Sequence, residues 1–114
     1  MVAFNFSPEF ADDVAGGKKR QTIRRTKRAK PGDRLQLYTG QRTQRCRLLR
    51  EAVCDMVDYG GIRPDGLTVG NIEKHPRDID EFARADGFKD YDAMWKWFSE
   101  RYKTNSFTGF VIRW

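Results

Sequence analysis

The chain has 114 residues, 39% hydrophobic and 13% aromatic, which is enough apolar material for one domain over residues 1–114 and too much for a disordered segment. It has no apolar run near the roughly 20 residues of a membrane-spanning helix. The opening Met1-Val2-Ala3-Phe4 lacks the basic flank and apolar stretch of a secretion signal, so a cytoplasmic protein with no membrane contact is expected.

The net charge of +6 is unevenly spread. Residues 18 to 50 carry thirteen lysines and arginines against one acid, Asp33, and the segments on either side are each net acidic. So concentrated a field expects a polyanion partner, RNA or DNA first and an anionic membrane second. Charge alone does not read the 2′-hydroxyl, which leaves DNA open.

In chain order, Ser7-Pro8-Glu9 marks a helix start, with Ser as N-cap, Pro in the first turn and an acid beside it. Phe10 and Val14 share its inner face, and Gly16-Gly17 stops it. The β-branched pair after Gln21 predicts a strand. Residues 26 to 30 read as a mobile basic loop with too little apolar content to fold against the core. Pro31-Gly32-Asp33 is a turn, followed by a strand through Leu35, Leu37 and Tyr38. Residues 45 to 57 read as a strand with a bulge near Leu49, and residues 59 to 69 as an irregular glycine-rich stretch. Helices are expected over 77–85 and 90–101. Asp90 caps the second, and Tyr91, Met94, Trp95, Phe98 and Tyr102 form its core stripe. The final FTGFVIRW is a strand with Phe110 and Ile112 on one face and Val111 on the other. Short strands at this spacing predict an α+β fold, a small mixed β-barrel with helices against it.

Cys46, Cys54 and the single His75 fit neither a zinc pattern nor a disulfide framework. Two buried thiols, no metal and no cofactor are expected, in a monomer. For a polynucleotide, Lys18, Arg20, Arg24, Arg25, Lys27, Arg28 and Lys30 are the candidate phosphate contacts, and Tyr38 or Tyr59 could stack on a base.

Several segments in order carry a resemblance: Gly17-x-Lys19-x-x-Thr22-Ile23-Arg24, KPGDRLQLYTG at residues 30 to 40, EFARADGF, MWKWFSERY and FVIRW. Together, from about Phe4 to Trp114, they resemble the ASCH domain family, relatives of the RNA-binding PUA barrels. The resemblance implies a PUA-like barrel whose basic segment lines a cleft. It also implies three possible roles: an amidohydrolase removing the acetyl group of N4-acetylcytidine, a ribonuclease, or a binding module without chemistry. In the amidohydrolase branch Lys19 matches the proton acceptor and Thr22 the nucleophile. Asp86 stands where that branch has glutamate, one methylene longer.

This chemistry makes demands on the residues. A threonine hydroxyl needs a base close by, and a lysine is a base only if burial or cationic neighbours lower its pKa from about 10.4. Asp86 could protonate a leaving nitrogen only if its pKa is raised, which a basic cleft opposes. Residues three apart point to opposite faces of a strand, so Lys19 and Thr22 can converge only if the strand has not begun at Lys19. The ribonuclease alternative would use Lys19 and Arg24 to neutralise a phosphorane, with Tyr38 or His75 moving protons.

Overall fold

The computed structural model describes residues 1–70, 72–73 and 76–114. Strand β1 (Val2–Phe6) leads into helix α1 (Pro8–Ala15). Pro8 stands in the first turn, where a backbone N–H has no intrahelical partner to lose. Ser7 occupies the N-cap position, but its side chain makes no capping bond. Phe10 and Val14 are buried, as their spacing requires. Strand β2 (Gln21–Arg24) follows, then a turn in which Asp33 N–H bonds the Lys30 carbonyl at 3.1 Å.

Strands β3 (Arg34–Thr39) and β4 (Arg47–Val53) complete a first sheet of order β1-β3-β4, parallel between β1 and β3 and antiparallel between β3 and β4. Leu37 faces Arg50 and Tyr38 faces Leu48. Leu49 is thus the extra residue, and the bulge falls where the sequence places it. Cys54 and Asp55 then turn a corner: Cys54 N–H bonds the Asp33 carbonyl and Asp55 N–H the Arg113 carbonyl, both at 2.8 Å. Residues 45 to 57 are therefore not one strand. They leave the first sheet at Val53 and enter the second at Met56.

The second sheet contains β5 (Met56–Arg63), β6 (Gly66–Val69), β7 (Ile72–Glu73) and β8 (Phe107–Arg113), in the order β2-β8-β5-β6-β7. Helices α2 (Pro76–Ala85) and α3 (Tyr91–Tyr102) complete the chain. Asp90 caps α3, accepting from Ala93 N–H at 2.9 Å.

Residues 59 to 69, expected to be irregular, form the β5–β6 hairpin. Its glycines serve close packing: a Cβ on Gly60 would stand 2.9 Å from Val111 Cγ2 on the neighbouring strand. The hydroxyl of buried Tyr91 lies 2.6 Å from the carbonyls of Arg63 and Gly66 and fastens the hairpin end to α3. β8 is covered on both faces, with Val111 in one core cluster and Ile112 in the other. Of the two expected buried thiols, only Cys54 is buried. Cys46 lies exposed just before β4.

Among the described residues no hydrogen-bonded pairing closes the two sheets into a barrel. Arginines bridge the gap instead. Arg24 Nη2 donates to the Asn5 carbonyl at 2.9 Å and Arg28 Nη2 to the Ala3 carbonyl at 2.7 Å. Both guanidinium carbons lie over Phe4, at 5.1 and 4.7 Å from the ring centre. Covering a strand edge with charged side chains removes a template for unwanted pairing. The basic loop is consequently anchored rather than free: Ala29 is buried and Arg28 is bonded to β1. Arg28→Met is expected to lower stability by about 1 kcal/mol, the usual net value of one such bond. A denaturant midpoint unchanged by this substitution would remove the anchor.

One core cluster lies between α2, α3 and the second sheet, around Ile62, Phe82, Met94 and Phe107. The other lies between α1 and the first sheet, around Phe4, Phe10, Leu35 and Leu37. Phe88 and Trp97 touch both. The seam between the clusters is where the candidate site lies.

Candidate active site

Three segments meet in the seam. The first is the bend between α1 and β2, where the N–H groups of Lys18 and Lys19 both bond the Asp13 carbonyl at 2.9 Å. The strand starts at Gln21, so Lys19 is free of its alternation. Its side chain and that of Thr22 line the same cavity, which is the convergence the sequence made conditional on such a bend.

The second segment is the end of α2, which closes in a Schellman motif. Phe88 N–H bonds the Ala83 carbonyl at 2.9 Å and Gly87 N–H the Arg84 carbonyl at 3.0 Å. This turn delivers Asp86 into the seam. Gly87 meets two demands: its φ is +93°, and a Cβ there would stand 3.1 Å from Lys19 Cδ and 3.2 Å from Phe10 Cδ1. Gly87→Ala is expected to cost about 1–2 kcal/mol for the left-handed backbone alone and to displace Lys19. A thermal unfolding midpoint equal to the wild type's would contradict this.

Lys19 and Asp86, 67 residues apart, are only 3% and 2% exposed. Lys19 Nζ lies 3.4 Å from Asp86 Oδ2 and donates to the Asp86 backbone carbonyl. It also stands over the rings of Phe10 and Phe6, at 4.9 and 5.7 Å from their centres. Asp86 Oδ1 is buried without a hydrogen-bond partner, an acceptor site left open to a proton or to a ligand N–H. Burial lowers the Lys19 pKa, against the opposing attraction of Asp86. Burial raises the Asp86 pKa, against the opposing charge of Lys19, the Gln21 amide and Arg24. The sequence left either burial or cationic neighbours to lower the lysine, and expected a basic cleft to lower the aspartate. Desolvation dominates both, because the side chains lie under the surface rather than on a charged wall.

Thr22 is buried on β2, and its Oγ1 accepts from Arg24 Nε at 3.0 Å. The guanidinium is held in turn by the Asn5 carbonyl and by the rings of Phe4 and Phe6. With one lone pair occupied by Arg24, the hydroxyl keeps its own proton to give and a second lone pair to attack with.

The cavity measures about 80 Å³. Asn5, Ser7, Lys19, Thr22, Arg24 and Asp86 line it with polar groups, and Phe10, Phe88, Trp97, Phe98 and Tyr102 with aromatic ones. Phe98 and Tyr102, read from the sequence as core only, are core and cavity lining at once. Arg101 also lines the cavity, 5.8 Å from the centre of the Trp97 ring. Sequence reasoning missed Phe88, Trp97 and Arg101, although the four-residue spacing of Trp97 and Arg101 on one helix face was a usable signal. A wider cleft of about 470 Å³ opens beyond Gln21, between Arg20, Asp55, Glu81 and Arg113. It lacks a buried pair of titratable groups, so chemistry rather than size singles out the smaller cavity.

The other candidates are dispersed. Arg25 is exposed, its guanidinium over Tyr102 and Phe107 at 4.8 and 5.1 Å, and it does not line the cavity. Lys27 and Lys30 are exposed on the loop. Lys18 borders a separate recess with Arg84 and Lys89. Arg20 turns into the wider cleft and bonds the Trp114 carbonyl at 3.4 Å. Tyr38 is half-buried in the first sheet, its hydroxyl 3.3 Å from Gln36 Oε1, and does not line the cavity. His75 lies outside the described residues. Among those described, no group of three or more His, Cys, Asp or Glu side chains could hold a metal ion, and no helix is long and apolar enough to cross a membrane.

No protein-family model matches the sequence, and the chain has no match among curated proteins or solved structures.

Proposed function

We propose that this protein hydrolyses the exocyclic amide of an N-acylated cytosine, with N4-acetylcytidine as the simplest substrate. One observation carries the reading: Lys19, Thr22 and Asp86, chosen together from sequence, are all buried and line a single cavity. The resemblance to ASCH domains supports it. The fold that resemblance implies would here be a small open barrel, its sheets sharing the Cys54-Asp55 corner and bridged by Arg24 and Arg28 in place of one ladder.

The reaction begins with Lys19 as a neutral amine and Asp86 as a neutral acid, the forms that burial favours. Lys19 takes the Thr22 proton as Oγ1 attacks the acyl carbon. The C–N bond then breaks, and the Asp86 proton goes to the departing nitrogen. Thr22 is left as an ester beside a lysinium–carboxylate pair, and the 3.4 Å contact stabilises that charge-separated state. In the second half Asp86 takes a proton from water as water attacks the ester. Lysinium returns a proton to Thr22 Oγ1, and the carboxylic acid leaves with both groups neutral again. The charge of Arg24 beside Oγ1 favours the developing alkoxide.

Incubation with N4-acetylcytidine should release cytidine, seen by chromatography, and Lys19→Ala should release none. No cytidine, at enzyme concentrations where a slow catalyst would register, would overturn the reaction. The cavity would then read as an RNA-binding site without chemistry, or as a ribonuclease if RNA is cleaved without added metal.

A further inference from the structure

Gln21 is 0% exposed, and the reaction described above gives it no part. Neighbouring residues of a strand point to opposite faces, so Thr22 lines the small cavity while Gln21 lines the wider cleft. The pairing of β2 with β8 sets Gln21 directly opposite Arg113. Arg113 Nε donates to Gln21 Oε1 at 3.1 Å, and Gln21 Nε2 donates to the Phe82 carbonyl at 3.5 Å.

These two partners leave the amide one orientation. A guanidinium only donates and a carbonyl only accepts. A flipped amide would set two donors together at Arg113 and two acceptors together at Phe82. The Phe82 carbonyl also accepts from the Asp86 backbone N–H at 3.2 Å, and the Ala85 carbonyl accepts from Arg20 N–H at 3.1 Å. Residues 20 and 21 therefore grip the turn that carries Asp86. The oriented NH2 lies close enough to the Asp86 carboxyl to favour its charged form. In the proposed reaction Asp86 is first an acid and then a carboxylate base, and Lys19 changes charge in the same steps. Gln21 does not titrate, so it is a fixed donor throughout.

The geometry points to Gln21 as a positioning residue for Asp86: clamped by Arg113, its amide holds the carboxyl in place and stabilises the carboxylate that activates water in the second half-reaction. That last role rests on the reaction proposed above, whereas the hold on the carboxyl does not.

The test pairs a titration with kinetics. The Asp86 carboxyl carbon is followed against pH by NMR in protein carrying isotopically labelled aspartate, its signal identified by its loss in Asp86→Asn. In Gln21→Leu the titration should move to higher pH, because a donor to the charged form is lost. Arg113→Met, which leaves the buried core intact, frees the amide to flip and should move it the same way. Arg113→Gln should titrate as the wild type, since its Nε2 lies as many bonds from the backbone as Arg113 Nε and supplies a donor without the charge. Lys19 and Arg24, the charged groups that face Asp86, stay in place in all three. With p-nitrophenyl acetate, whose leaving group departs without protonation, Gln21→Leu should keep the burst and lose roughly ten- to a hundredfold in the steady rate, the scale of one hydrogen bond to a charged group. An Asp86 titration unmoved in both Gln21→Leu and Arg113→Met, or burst and steady rate falling together, would overturn the assignment. A moved titration in a protein that turns over neither the ester nor N4-acetylcytidine would sink the reaction and leave the hold on Asp86 standing. Turnover with an unmoved titration would do the reverse.

Discussion

Replacing Lys19 with methionine is expected to abolish turnover and to cost about 3–5 kcal/mol of stability at neutral pH, the usual penalty for removing one partner of a buried pair. Asp86 would be left 2% exposed, its Oδ1 still without a partner and its counter-charge gone. The double variant Lys19→Met/Asp86→Leu should regain most of that stability and could exceed the wild type, because two desolvated charges are replaced by apolar groups of similar size. It should remain inactive. Equilibrium denaturation of the four proteins yields the coupling energy directly. A single variant as stable as the wild type would mean that the pair is not coupled. Turnover by the double variant would remove the pair from the chemistry.

The same pair gives stability an unusual pH dependence. Asp86 has its pKa raised by burial, so the folded state holds its proton more tightly than the unfolded state. The stability this contributes is complete below about pH 3.9, the unfolded value, and is lost as pH rises through the folded pKa. Lys19 has its pKa lowered by burial. Its charged form is penalised in the fold, and stability returns as pH rises from the folded value towards about 10.4. Wild type measured against the double apolar variant should therefore be relatively weakest at intermediate pH and gain at both ends. A surface ion pair would give the opposite curve. Within the intermediate range, pH does not choose between the neutral pair and the ion pair, because the two differ only by a proton passed from one member to the other. Burial opposes both charges, the 3.4 Å contact between the two groups opposes both neutral forms, and the proposed reaction starts from the neutral form.

How much of this was legible in the sequence depended on range. Local signals were reliable: Pro8 in the first turn of α1, the Asp90 cap, the bulge at Leu49 and the strand start at Gln21 each depend on a few adjacent residues. The β5–β6 hairpin was hidden because Gly60 and Gly61 read as breakers, whereas Gly60 is small to admit Val111 from a strand fifty residues later. The division of residues 45 to 57 between two sheets was hidden for the same reason, since the partners that separate them, Asp33 and Arg113, are remote. At the candidate site, Lys19, Thr22 and Asp86 were singled out by the resemblance rather than by any local pattern, and their electrostatics were not legible at all. Counting charges near Lys19 gave a basic wall. Burial, which no count of neighbours reveals, moves both pKa values in the directions that acid–base chemistry needs. Arg24 and Arg28 belong to the same lesson: counted as phosphate ligands, they also hold β1 to the rest of the fold.

Thr22→Val is expected to lower kcat by roughly four orders of magnitude or more, the scale of nucleophile loss in covalent catalysis, whereas Thr22→Ser should stay within about tenfold, since the hydroxyl keeps its proton and its bond to Arg24. Asp86→Asn allows a sharper experiment with p-nitrophenyl acetate, whose single ring suits the cavity and whose leaving group departs without protonation. Acylation then bypasses Asp86, while water attack on the ester still needs it as base. The variant should therefore release one equivalent of nitrophenolate in a burst and stall, with an acetyl group on the peptide containing Thr22 by mass spectrometry. Thr22→Val/Asp86→Asn should show no burst. An acetyl group found on Lys19 instead would reassign the roles, because an amine whose pKa is lowered by burial is itself a competent nucleophile. The amide so formed would not be hydrolysed by the groups present. Stalling on Thr22 that water resolves once Asp86 is restored, against permanent modification of Lys19, separates a catalytic threonine from a merely reactive lysine.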